Sequence, residues 1–212
     1  MTTPAEAVAF VNAAKPALEH FFEALREHRV QQEAYRRQLS DLVSSLEQDF
    51  QLRGQWSSNA NWHYGQLVRF REMLDRPRST ALGVSRLGEA TEVLAQAEAT
   101  DDWLGIIAGA VLQVGKQALS YRYGAKKPVL MGVRTVMSLP VVDVIWDGRN
   151  HALHWEETSP RPPVVKLLDA LRRATGYPVE DTRNNSELIL RVLEWGTEED
   201  ASDELRTLVT LP

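Results

Sequence analysis

Apolar residues recur at helical spacing through nearly the whole chain. Val8, Val11, Leu18, Phe21, Phe22 and Leu25 fall on one stripe, and Tyr35, Leu39, Leu42, Val43, Leu46 and Phe50 on a second. The pattern predicts two amphipathic helices divided between Glu27 and Gln31, with too few heptads in register for a coiled coil. The polar and aromatic stretch Gln55 to Tyr64 reads as a loop leading into a helix from about Asn61 to Asp75, which Pro77 ends. A weaker helical pattern runs from Thr80 to Ala99 through Leu82, Leu87, Val93 and Leu94. Thr100, Asp101 and Asp102 then supply a cap and early negative charge for a helix reaching Arg122 and stopping at Gly124.

Val129, Leu130, Met131 and Val133 suit either a short strand or a packed loop. Pro140 suits the first turn of a helix capped by Ser138, running to Glu157 and closed by Pro160, Pro162 and Pro163. Further helices are predicted near Val164 to Ala174 and Ser186 to Glu194, with a short one after Ser202. These elements predict an all-α fold, a helical bundle with an N-terminal helical region at 1–78 and a helical domain at 79–212, or one continuous domain. The longest apolar run, Trp103 to Val114, is broken by Gly105, Gly109 and Gln113, so no membrane span is expected. The first residues lack a basic region followed by an apolar one, and a cytoplasmic location is the expectation.

Composition narrows the chemistry. The chain has 212 residues and no cysteine, which excludes disulfides, thiolate nucleophiles and cysteine-ligated zinc. Its 24 Lys and Arg against 29 Asp and Glu give a formal charge of -5, unfavourable for nucleic acid if spread evenly. The distribution is uneven. Between Trp103 and Val142 stand Lys116, Arg122, Lys126, Lys127 and Arg134 with no acid, and a second basic cluster comprises Arg69, Arg71, Arg76 and Arg78. Acids gather after Leu193 instead.

The predicted helix from Pro140 contains Arg149, Asn150, His151 and His154. On a helical wheel, Val141, Val144, Ile145, Gly148, Ala152 and Trp155 occupy one arc, and Val142, Trp146 and Leu153 an adjoining one. Their combined width exceeds the stripe needed to pack one face and predicts a second contact surface. Arg149 lies between the arcs and needs a partner such as Glu156, or an anion. Asn150 is one turn from His154, where its amide can orient the imidazole. An imidazole to move a proton and a guanidinium to stabilise a crowded phosphate suit RNA cleavage through the 2'-hydroxyl, with no metal or cofactor required.

The segment Arg149-Asn150-His151-Ala152-Leu153-His154 resembles the R-N-x-x-x-H form of the R-x(4 to 6)-H motif of HEPN domains (higher eukaryotes and prokaryotes nucleotide-binding). The resemblance covers about residues 80 to 200. It implies an all-helical bundle that forms a homodimer in which the motifs of two subunits meet, often as a metal-independent endoribonuclease. Toxin-antitoxin pairs, abortive-infection systems and RNA-targeting CRISPR effectors contain such enzymes. Carried over, Arg149 and His154 are the catalytic pair and Asn150 the polar residue beside them, in a ribonuclease whose partners are RNA and an antitoxin or defence-complex protein. The alternative is a non-catalytic HEPN-like dimerisation or interaction module.

Arg122, Lys126, Lys127 and Arg134 are the candidate RNA-binding residues, with Tyr121, Tyr123 and Trp146 as candidate stacking platforms. Asp147, His151, His154 and Glu157 share a polar face, but their spacing matches no established metal motif, and Asp147 with His151 also reads as a surface pair. His20, His28 and His63 have no partner pattern.

Overall fold

The computed structural model describes residues 2–49, 81–157, 159–176 and 179–212. Among them are six helices and one two-stranded ribbon: α1 (Pro4–Asp49), α2 (Ala81–Tyr123), β1 (Thr135–Val136), β2 (Leu139–Pro140), α3 (Val141–His154), α4 (Pro162–Thr175), α5 (Ser186–Val192) and α6 (Glu198–Thr210). The fold is all-α, as the periodicity predicts. The predicted loop and helix between Gln55 and Asp75, the arginine cluster at 69–78, His63 and the 78/79 boundary lie outside the described residues.

Two predicted breaks are absent. Residues 27–31 lie inside the single helix α1, because nothing there is a glycine or proline and the local sequence favours helix. Thr100, Asp101 and Asp102 likewise lie inside α2 instead of capping a new helix. The Thr100 hydroxyl donates to the Gln96 carbonyl one turn back (2.8 Å), satisfying itself within the helix.

The chain divides into two compact units, Met1–Arg29 with Asp102–Pro212, and Val30–Asp101. In the smaller one, Val43, Ala90 and Val93 are buried, and buried Gln32 donates to the Asp101 carboxylate. The larger unit contains the motif helix. Its core joins Ala7, Val11, Leu18, Phe22 and Leu25 of α1 to Leu104, Ala108, Val111, Leu112 and Leu119 of α2, and to residues of every later helix. Thr3 and Glu6 close a reciprocal capping box at the start of α1 (Thr3 N–H to Glu6 2.7 Å, Glu6 N–H to Thr3 3.2 Å) with Pro4 in its first turn. Thr197 and Asp200 do the same for α6, which therefore begins before Ser202.

The segment after α2 forms the β1–β2 ribbon, pairing Thr135 with Pro140 and Val136 with Leu139. Its two-residue turn places Met137 and Ser138 at positive φ (52° and 64°), as a tight hairpin with this twist demands. Ser138 is thus a turn residue and caps nothing; Pro140 occupies the cap position and α3 starts at Val141. Pro162 and Pro163 open α4, and Gly176 at φ 65° ends it.

α3 is the central helix. Most of both apolar arcs is used within the protein: Val141, Val142, Val144, Ile145, Trp146 and Gly148 are buried, while Leu153 of the second arc is exposed. The buried part of this apolar surface packs against α2, α4, α5 and the ribbon. α2 and α3 run antiparallel and close together. A Cβ placed on Gly109 would stand 2.9 Å from the Ala152 Cβ, one on Gly148 3.4 Å from Leu112, and one on Gly115 3.0 Å from Ile145. Gly148, unfavourable for helix by about 1 kcal/mol relative to Ala, therefore admits Ile189 and Leu112 against the α3 backbone.

Candidate functional site

The α2–α3 register places Gln113 beside Arg149 and Lys116 beside Trp146. The Arg149 Nε donates to the Gln113 side-chain oxygen, and Nη1 makes a long contact (3.4 Å) with the Asn150 oxygen. No carboxylate pairs with Arg149 among the described residues, and Glu156 is exposed. Burial pushes the guanidinium below its ordinary range, but it remains charged at neutral pH. One turn away, Lys116 Nζ stands over the Trp146 ring, 4.9 Å from its centroid. Burial, then the charge of Arg149, lowers the Lys116 ammonium.

His154 is on another side of α3. Its side chain is 48% exposed, and Nδ1 lies 2.8 Å from the Glu157 carboxylate. A proton on Nδ1 donated to Glu157 leaves Nε2 bare, the tautomer a general base needs. The imidazole is therefore oriented by Glu157, whereas Asn150 turns its oxygen to Arg149. Asn150 nevertheless joins the two groups. It also lines a small pocket of about 30 Å³ with His151, His154, Glu157, Pro160, Arg161 and Val164. This is about the room one water needs. Arg161, which stands among the helix-closing prolines and carries no role in the sequence pattern, brings an exposed guanidinium to this pocket. Its position at the cap of α4 was the available signal.

His151 and Asp147 do not form a surface pair. His151 is 2% exposed, and its Nε2 faces the Arg183 carbonyl (3.0 Å) and the Asn185 backbone N–H (3.3 Å) and side-chain amide (3.1 Å). Burial holds the imidazole pKa down, with the Arg183 carbonyl and Asp181 acting in the opposite sense. Asp147 is buried and paired with Lys127 (2.9 Å), which also reaches Asp143 (3.0 Å). Desolvation raises the Asp147 carboxyl despite this attraction, while the more exposed Lys127 is raised by its two carboxylates. No group of three or more metal-ligating side chains gathers among the described residues.

Three of the four candidate RNA-binding residues have protein partners. Arg122 donates to the carbonyls of Val209 (3.1 Å) and Thr2 (3.0 Å). Lys127 is held as described, and Arg134 binds Glu194, Glu204 and the Leu193 carbonyl. Lys126 is exposed. Tyr121 stacks on Phe10 (5.2 Å), and the Tyr123 hydroxyl donates to the Leu208 or Leu211 carbonyl (2.7 and 2.9 Å).

The α2–α3 region thus combines two cations that meet no carboxylate among the described residues with an accessible, carboxylate-oriented imidazole on an all-helical scaffold. No family model, curated protein or solved structure matches the chain. No helix among the described residues is long and apolar enough to cross a membrane.

Proposed function

We propose that the chain is a metal-independent endoribonuclease of HEPN type, acting in the cytoplasm in a bacterial defence or toxin-antitoxin setting. His154 Nε2 takes the proton of an RNA 2'-hydroxyl, Arg149 stabilises the phosphate that this oxygen attacks, and Asn150 positions the guanidinium. The bond to the 5'-oxygen of the next nucleotide breaks, that oxygen leaves as a hydroxyl with a proton from solvent, and a 2',3'-cyclic phosphate remains. The observation that carries this reading is the contact chain from Arg149 through Asn150 to the pocket of His154, with the imidazole held by Glu157. Arg149, which faces no carboxylate among the described residues, keeps its charge for an anionic substrate. Purified protein is expected to cut labelled RNA in EDTA, and Arg149→Ala and His154→Ala each to lose at least about a hundredfold in rate. Equal cutting by both variants refutes the assignment.

The second reading, a non-catalytic interaction module, has one favouring observation. Trp103, Ile106 and Leu153 are 55%, 52% and 56% exposed. Trp103 and Ile106 continue the α2 stripe that holds Gln113, and Leu153 lies one turn beyond Arg149 on α3. A second copy, or an antitoxin or other defence protein, seated here covers that apolar surface. Leu153→Asp separates the readings. Loss of self-association in sedimentation together with loss of cleavage supports the dimeric enzyme, whereas loss of association by a protein that never cleaves supports the module.

A further inference from the structure

The protein pairs its half-buried cations with care. Arg29 meets Glu187, Lys127 meets Asp143 and Asp147, Arg134 meets Glu204, and Arg172 meets Asp169 and Asp181. With 29 acids against 24 bases, carboxylates are not scarce. Lys116 and Arg149 differ: they sit side by side across α2 and α3, and among the described residues neither is paired with a carboxylate or, like Arg122, held by backbone carbonyls.

Their neighbours are neutral and shape the site. Gln113 fixes one edge of the guanidinium, leaving the Nη2 edge unassigned. Trp146, only 7% exposed, forms a floor beneath the lysine ammonium. Gln113 and Lys116 are three residues apart on α2, as are Trp146 and Arg149 on α3, so the two contacts are offset by about one turn, roughly 4.5 Å of helix rise. A point charge and a planar fork on neighbouring turns suit the oxygens of one phosphate. Two like charges held beside partly desolvated surface repel until an anion enters between them.

We propose that Lys116 and Arg149 form a two-cation clamp for one backbone phosphate of the RNA, floored by Trp146. This rests on the ribonuclease reading above and adds Lys116, which contributes binding, not proton transfer.

The test is fluorescence anisotropy with a labelled oligoribonucleotide 2'-O-methylated at every position, which binds without being cut. Wild type, Lys116→Met and Lys116→Arg are titrated across a salt series. Methionine retains an apolar stem over Trp146, and its melting temperature, expected at or above that of wild type, checks the fold. Lys116→Met is expected to weaken binding about five- to tenfold at low salt and to reduce the log–log salt slope by about 0.7, one single-strand phosphate contact. Lys116→Arg is expected to restore both. Affinity within about twofold of wild type and an unchanged slope overturn the clamp, as does a wild type that binds no oligonucleotide. Weaker binding of inorganic phosphate, measured by calorimetry, in Lys116→Met without an effect on the oligonucleotide overturns it as an RNA site. Cleavage of unmodified RNA is measured separately. A slope change without cleavage keeps the clamp and refutes the ribonuclease; cleavage without a slope change refutes the clamp alone.

Discussion

The contact of Gly109 with Ala152 fixes how closely α2 approaches the motif helix, and it can be measured by a double-mutant cycle. In Gly109→Ala the new Cβ would lie 2.9 Å from the Ala152 Cβ, closer than two carbons tolerate. Both atoms are fixed to helical backbone, so neither can rotate away and the helices must separate. Such overpacking costs about 1–3 kcal/mol. The better helix propensity of alanine returns about 1 kcal/mol, so the single variant alone is a poor gauge. Ala152→Gly removes the opposing methyl, and the helix-propensity changes occur on separate helices and cancel in the cycle. The interaction energy between the two substitutions is therefore expected at about 1–3 kcal/mol in favour of the double variant. Urea unfolding of the four proteins at one pH supplies the numbers. Additivity to within about 0.5 kcal/mol would show that the helices do not meet here and would remove the register that places Gln113 beside Arg149.

Lys127→Met leaves Asp147 buried without its cation and is expected to destabilise by about 3 kcal/mol in urea melts, with most of this recovered on adding Asp147→Asn. Folded His151 has a depressed pKa, so the unfolded chain binds the extra proton first. Its contribution is complete above the unfolded value of about 6.5 and is lost as pH falls through that value towards the folded one. Asp147, raised on folding, acts in the opposite sense from about pH 4 upward, so the measurement is the difference in pH slope between wild type and His151→Gln. A smaller slope for the variant is expected; identical slopes contradict the buried neutral imidazole. Glu157→Ala is expected to slow RNA cleavage about tenfold, by analogy with the loss of an orienting carboxylate, without altering the salt slope of binding.

Helix identity was legible because apolar periodicity survives in almost every segment, and the burial of Val141, Val144 and Ile145 follows directly from it. Helix ends were read less well. The pattern at Thr100-Asp101-Asp102 is a good local cap, yet the flanking residues pack as one helix and tertiary contacts override it. The boxes Thr3-Pro4-Ala5-Glu6 and Thr197-Glu198-Glu199-Asp200 were present in the sequence as cap signatures and identify true helix starts. For the site, the five-residue spacing of Arg149 and His154 sets them about 140° apart around a helix, on different sides of α3. It could not show that Gln113 and Lys116 meet that helix, since neighbours between helices depend on register set by Gly109, Gly115 and Gly148. Nor could it tell the paired cations from the unpaired ones. Arg122, Lys127 and Arg134 looked equivalent to Lys116 in an acid-free stretch, and only their distant partners, such as Val209 and Glu204, distinguish them.

The central claim is that His154 and Arg149 cut RNA through its own 2'-hydroxyl without a metal. Oligodeoxynucleotides carrying a single ribonucleotide, one for each base, test this most directly when incubated with the protein in EDTA. The expected result is cutting only on the 3' side of the ribonucleotide, a 2',3'-cyclic phosphate on the product, and no cutting by His154→Ala. Cleavage of the all-deoxy strand, a product ending in a 3'-hydroxyl, or intact strands for all four bases would contradict it.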